Sequence, residues 1–309
     1  MTPQTARFMP RRMEPNPRLI LPFLAAIAGV AFLSLMDALM KDASLATGVY
    51  TASLLRSLIA AAMVAPFWLA SGFVWPRGRV MRLHIERGCV SAAMALSFFY
   101  ALTKLPIAEA IAISFVAPLL ALYLAHWLLG ERIARKAIWA SVMGFAGTLV
   151  IISGRLGRSD FDEGVAWGLA ALLVSALLYA YNFVVIRKQS QAAGPLEVAT
   201  FHSGVAGLVQ LLAAPFFFVM PDSAALQLIT GSALLTVIAS MGLAWAYARA
   251  EAQVLVPVEY TGFLWAALFG WLMFGEQVTA TTLAGVAVIV IACLIAAPKA
   301  RRRPRRATA

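Results

Sequence analysis

The stretch Pro118-Leu-Leu-Ala-Leu-Tyr-Leu-Ala-His-Trp-Leu-Leu-Gly-Glu131 decides how the rest of the chain is read, because it returns in the second half as Phe263-Leu-Trp-Ala-Ala-Leu-Phe-Gly-Trp-Leu-Met-Phe-Gly-Glu276. Both copies close an apolar run with Gly-Glu. Upstream, Tyr100-Ala101 is matched by Tyr247-Ala248, and Gly48 to Ser57 aligns without gaps on Gly194 to Ser203, which sets Arg56 opposite His202. The chain is two homologous halves, and its function has to be one that uses a duplication.

Working outward from the two copies, apolar runs lie near residues 19–40, 48–71, 86–104, 106–129, 133–153, 164–186, 195–219, 225–249, 252–274 and 279–297. Each is close to the roughly 20 residues that a helix needs to cross a hydrocarbon layer of about 30 Å. At 62% hydrophobic and 13% charged, the 309 residues depart far from the soluble norm of about 45–50% apolar and about 25% charged. Lipid is the solvent for most of this chain. The breaks are short and hold Pro, Gly and charge, as in Ser71 to Arg79 and Ser153 to Asp160, leaving no room for a soluble domain. A membrane barrel would alternate apolar and polar side chains over segments of about ten residues, whereas these runs are apolar on every side. The expected fold is therefore an all-α membrane protein of ten transmembrane helices. It divides into a basic N-terminus over 1–18, a five-helix repeat over 19–155, a second five-helix repeat over 160–297 and a polybasic tail over 298–309.

A net charge of +11 raises the question of nucleic acid, but the basic residues follow topology instead of gathering on a soluble module. With a cytoplasmic N-terminus, the inner side holds Arg7, Arg11, Arg12, Arg18, Arg77, Arg79, Arg82, Arg87, Arg132, Arg135, Lys136, Arg187, Lys188, Arg249 and the tail from Lys299 to Arg306. The outer side holds only Lys41, Lys104, Arg155 and Arg158, and Arg56 lies within a span. Such asymmetry is what the positive-inside rule produces, and it predicts that both termini are cytoplasmic. Five spans is an odd number, so the second half enters from the side opposite to the first. Inverted repeats of this kind are a feature of many secondary transporters, which bind substrate near the midplane between the repeats.

Other classes are disfavoured. The apolar run after the first 18 residues is too long for the roughly 7–15-residue core of a signal peptide, so it is read as span one. Two cysteines, three scattered histidines and no Cys-x-x-Cys or His-x-x-x-His spacing argue against a metal site. No phosphate-binding loop is present, so ATP hydrolysis is not the expected energy source. No cofactor is called for. An integral-membrane enzyme would need acids, bases or metal ligands gathered at one depth, and the ionisable residues within the spans are few and dispersed.

With Gly-Glu closing the fourth and ninth spans of a five-plus-five duplication, the chain resembles the EamA type of the drug/metabolite transporter superfamily, from about Leu19 to Ala297. Pro257 to Glu276 carries most of the resemblance. It implies a secondary carrier of small organic metabolites such as amino acids and their derivatives, nucleotide sugars or cationic drugs, in a bacterial inner membrane. Ser34-Leu-Met-Asp-Ala-Leu-Met-Lys41, with Arg56 downstream, is similar to the subgroup of S-adenosylmethionine and riboflavin importers.

An ionisable side chain in hydrocarbon costs at least about 2.5–3.5 kcal/mol, so each one within a span is a functional candidate. Glu259 lies roughly 10 Å into span nine at about 1.5 Å per residue. It either accepts hydrogen bonds from a neighbouring helix or acts as a substrate-ammonium ligand or proton-coupling carboxylate. Arg56 and His202 occupy matching depths, as a shared site would require; alternatively Arg56 forms a structural salt bridge with Asp37. Histidine suits proton coupling because its charge changes between about pH 5 and 8. Glu109 either snorkels or serves its own helix N-terminus, and Glu131 and Glu276 are read the same way at the turns into spans five and ten, since the dipole there favours acids. Phe98, Phe99 and Tyr100, the repeat-related Trp245 and Tyr247, and Tyr179, Tyr181, Asn182, Tyr260 and Trp265 supply either an aromatic box for an organic cation or ordinary packing and interfacial belts. Pro118 and Pro257 in spans four and nine, and Pro66 and Pro215 in spans two and seven, mark candidate hinges, since proline removes a backbone bond. The tail suits either anionic lipid headgroups or simple topogenic anchoring.

The expected function is alternating-access movement of a cationic or zwitterionic metabolite, with protons as a candidate coupling ion. Export of amino acids or cationic drugs by proton antiport is the alternative in mechanism, and a passive channel the alternative in class.

Overall fold

In a computed structural model, residues 17–72, 74–129, 135–156, 162–189, 192–247, 249 and 258–296 are described, and among them every regular element is helical. The helices are α1 (Pro17–Thr47), α2 (Val49–Ala70), α3 (Arg79–Lys104), α4 (Ile107–Ser114), α5 (Ala117–Leu129), α6 (Arg135–Leu156), α7 (Glu163–Gln189), α8 (Pro195–Leu211), α9 (Ala214–Phe217), α10 (Ser223–Tyr247), α11 (Gly262–Phe274) and α12 (Ala280–Ala296). Hydrocarbon leaves backbone groups no partners but each other, which is why uninterrupted helices dominate. The segments Ile20–Thr47, Val49–Ala70, Arg79–Lys104, Ile107–Leu128, Glu163–Ile186 and Ser223–Ala246 are long and apolar enough to cross a membrane. Shorter apolar helices occupy Ile138–Gly154, Gly262–Phe274 and Ala280–Ala292.

Two pairs of helices that correspond by sequence repeat, α2 with α8 and α6 with α12, lie against one another and run antiparallel. Along α2 and α8, Ser53 receives a hydrogen bond from Gln210 at 3.2 Å, and further along α2 the leucine Leu58 fills the space beside Gly207. Along α6 and α12, Gly144 faces Ala292, Gly147 faces Ile289 and Gly285, and Gly154 faces Thr281. A Cβ added at Gly285 would stand 2.6 Å from the carbonyl oxygen of Gly147, so the two backbones touch there. Small residues that permit such approach are the usual glue between membrane helices. The remaining contacts are exchanged by the same relation: α1 packs on α10 as α7 packs on α3, and α2 packs on α10 as α8 packs on α3. The core between them gathers Met40, Phe99, Leu102, Ile113, Leu172, Ile229, Phe263 and Ile289 from both halves.

The structure differs from the sequence reading in several places, among them the start of α3 at Arg79, ahead of the expected 86, and the division of span seven into α8 and the short α9. The first helix runs on past residue 40 to Thr47, because Lys41 is neutralised inside the fold instead of marking a boundary. Span four is two helices, broken at Phe115-Val116 by tight turns in which the Val116 N–H donates to the Ile113 carbonyl at 3.1 Å. A matching turn precedes α11 at Tyr260-Thr261, where the Thr261 N–H donates to the Val258 carbonyl at 2.9 Å. The two interruptions meet: the rings of Phe115 and Tyr260 lie 5.3 Å apart, edge to face. Of the candidate hinges, Pro118 directly follows the first break, and Pro215 sits in α9 just beyond the end of α8. Pro66 lies within the uninterrupted α2, and Pro257 lies outside the described residues.

Candidate functional site

Asp37 from the middle of α1, Arg56 from α2, Tyr179 from α7 and His202 from α8 all lie deep in the bundle and act on one another electrostatically. Asp37 and Arg56 are mutual influences; Tyr179 feels Asp37 and Glu259; His202 feels Arg87 and Arg56. Depth does not mean closure. Tyr179 keeps 38% of its surface open, Glu259 is exposed, and Arg56 and His202 are half-buried.

The salt bridge expected between Asp37 and Arg56 is not formed. Elsewhere Lys41 pairs with Glu276, and His84 meets Glu197. Asp37 attracts Arg56 without closing onto it, and the Arg56 Nε has no hydrogen-bond partner. The guanidinium lies over the Phe99 ring at 5.2 Å, an apolar rest that leaves its donors available. Nearby, His202 Nδ1 meets the Ser91 hydroxyl at 3.2 Å, and the buried Asn182 Oδ1 accepts no hydrogen bond. Buried polar groups are normally satisfied. Arg56 Nε and Asn182 Oδ1 are thus an unused donor and an unused acceptor.

Other candidates are distributed around this centre. Glu259 sits at the break before α11, next to Tyr260, whose ring meets Phe115. Phe98 packs edge-on against Phe99 at 5.7 Å, and Tyr100 is 36% exposed near the end of α3. Trp245 packs with Trp265 on a small cluster of Ala26, Val30 and Val258, about two turns along α1 from Asp37, and carries the Arg249 guanidinium 4.3 Å above its ring. Tyr247 ends α10, with its side chain outside the described residues. Glu109 does not snorkel but is 3% exposed and accepts a hydrogen bond from the Thr282 hydroxyl at 3.3 Å. Glu276 binds Lys41 and the Ile107 N–H, and Glu131 lies outside the described residues.

The sequence reading overlooked His84. It is wholly buried; Gln189 Nε2 and His84 Nδ1 stand 2.7 Å apart, His84 Nε2 meets Glu197 at 2.8 Å, and Arg87 donates to Gln189 at 2.6 Å. Its ring stacks on Phe201 at 4.5 Å. The signal was present: His84, Glu86 and Arg87 crowd three polar groups into about one turn at the start of an apolar run.

The profile of the EamA-like transporter family matches this chain twice, over residues 20–153 and 166–297. The chain belongs to the EamA-like transporter family. As an EamA-like protein it is a transporter and not an enzyme. It is 28% identical to the pseudopaline exporter CntI of Pseudomonas aeruginosa, across 88% of this chain and 93% of that one. It is 26% identical to a riboflavin transporter of Rhizobium johnstonii, covering 95% and 96% of the two chains. It is 27% identical to an S-adenosylmethionine uptake transporter of Rickettsia prowazekii, over 69% and 70%. A solved crystal structure superimposes with a TM-score of 0.62 at 20% identity, covering 89% of this EamA-like chain and 96% of the other, a likeness of fold.

Proposed function

We propose that this protein is a secondary carrier of the bacterial inner membrane that moves a zwitterionic or cationic small metabolite by alternating access between two inverted five-helix repeats, with both termini in the cytoplasm. The separated charges of Asp37 and Arg56 carry this reading. Opposite charges buried in one cavity attract strongly, and leaving them apart costs free energy unless something bridges them. An α-amino acid group does so, its ammonium on Asp37 and its carboxylate on Arg56, while Phe99 and Tyr179 flank an apolar or cationic remainder. Glu259 adds a second carboxylate for a further positive centre. Relatives named for S-adenosylmethionine uptake fit such a substrate, since that compound joins an amino-acid end to a sulfonium. Antiparallel packing of repeat-related helices and the asymmetry of the basic residues support the inverted arrangement.

The test is flux into proteoliposomes, after a thermal-shift screen of amino acids, S-adenosylmethionine, riboflavin and quaternary ammonium compounds on purified protein. Flux should saturate with substrate, and Asp37→Asn or Arg56→Gln should each weaken apparent affinity about ten- to a hundredfold, the worth of one charge-assisted hydrogen bond at about 1.5–3 kcal/mol. Linear, non-saturating flux would identify a channel. Unchanged affinity in both variants would remove the bridging site.

Proton-coupled export is the second reading, and its candidate is His202, whose Nδ1 meets the Ser91 hydroxyl at 3.2 Å. A pH gradient should then drive substrate movement in the wild-type protein and not in His202→Gln. Equal gradient dependence in both would take His202 out of the coupling.

A further inference from the structure

At one end of the bundle, the end of α1 meets the turn from α3 into α4 and the turn after α11. There Lys41, 7% exposed, pairs with Glu276 and donates to the Leu105 carbonyl at 2.7 Å. The other oxygen of Glu276 accepts from the Ile107 N–H, the first residue of α4, at 2.8 Å. Local backbone holds the carboxylate there: Gly275 turns the chain at φ 66, and Gly270 leaves room, since a Cβ on it would stand 2.4 Å from Glu276 Oε2. Leu105 and Ile107 are 1% and 0% exposed, so the backbone groups that hold the pair are buried.

Three features set this contact apart from static packing. It ties a residue of the first half to one of the second, across the end of the two interrupted spans. Both charges recover hydration if the end opens, so parting them costs far less than parting an apolar seam of equal area. The same charges recur in sequence at the repeat-related positions, Arg187 for Lys41 and Glu131 for Glu276.

We propose that Lys41 and Glu276 form the outer gate of the carrier, joined while the central cavity is shut to the outer side and parted when it opens there. This rests on the carrier reading and on cytoplasmic termini. Glu276 is a positioning residue in this scheme. It holds the N-terminus of α4 down, and α4 leads directly to the Phe115 break beside the cavity.

A cysteine reporter separates gating from stability. Ser114→Cys, at the break, is placed in a protein carrying Cys89→Ser and Cys293→Ser, and labelled in right-side-out vesicles with a membrane-impermeant sulfonated maleimide. Lys41→Gln and Glu276→Gln should each speed labelling from outside about tenfold or more, and Lys41→Arg, which keeps the charge and the donors, should stay near the parent rate. Apparent substrate affinity should rise on the outer face and fall on the inner face, an asymmetry that mere loss of folded protein cannot produce. Unchanged outside labelling in both single variants, with monodisperse protein by size exclusion, overturns the gate. Faster labelling only from the cytoplasmic side overturns its outer placement. If Lys41→Gln does not fold, Lys41→Arg with Glu276→Gln supplies the same readout. Linear flux with faster labelling would defeat the carrier reading while leaving the latch in place.

Discussion

The two ends of α3 carry two polar knots of different construction. At its start, His84, Arg87, Gln189 and Glu197 join α3, α7 and α8, and at its finish Lys41, Glu276 and two backbone groups join α1, α4 and the end of α11. The first knot is backed by rings, with His84 on Phe201 and Phe201 edge-on to Trp68 at 5.2 Å. Beside the second, among the described residues, lies the Phe274 ring, 5.1 Å from the lysine ammonium. A polar network sheathed in aromatic packing is expensive to open. One made of two full charges near the end of the bundle regains water when it parts, so it can close and open repeatedly. Both are cross-half contacts, yet one reads as a fastening and the other as a latch.

Removing His84 should break the comparison most severely. His84→Ala leaves Gln189 and Glu197 without their partner and opens a ring-sized void, for a loss of about 3–5 kcal/mol seen as a lower melting temperature in detergent. A loss under about 1 kcal/mol would show that the knot is not a fastening. Gly285→Ala probes the flank away from both knots. Its Cβ would collide with the Gly147 carbonyl and Ile151, costing about 1–3 kcal/mol by overpacking, with transport lost in proportion to folded protein. Lys41→Gln should cost less than His84→Ala, about 1–3 kcal/mol for weakened hydrogen bonds to a charged group. Equal melting shifts for Lys41→Gln and His84→Ala would erase the distinction drawn between the two ends. The smallest effect belongs to Thr282→Val, which removes the hydroxyl's hydrogen bonds to Glu109 at 3.3 Å and Thr279 at 2.8 Å and should shift stability by about 1 kcal/mol.

Much of the fold could be read from the chain because lipid makes apolar length nearly sufficient. The run near 48–71 became α2 (Val49–Ala70) almost residue for residue, since Gly48 and Gly72 bound it with φ of 85 and 97. The end of α1 was misread for a nonlocal reason: Lys41 looks like a loop residue until Glu276, far off in sequence, neutralises it. The interruptions at Phe115 and Tyr260 were marked only by nearby prolines, because an apolar run looks alike whether its helix continues or turns. The central charges Asp37, Arg56 and His202 were legible as rare ionisable groups in apolar spans. That Asp37 and Arg56 stand apart was not, since it depends on tertiary spacing. Phe99, Ser91 and Arg87 gain meaning only from their neighbours on other helices.

Between Gly147 and Gly285 only hydrogen atoms separate two helices, so that flank has no slack. It can neither slide nor part without giving up contact along its whole length. Under the carrier reading, any widening is expected away from this seam, where α1 leans on α10. The molecule has a spine and a jaw, and the spine is drawn in glycine.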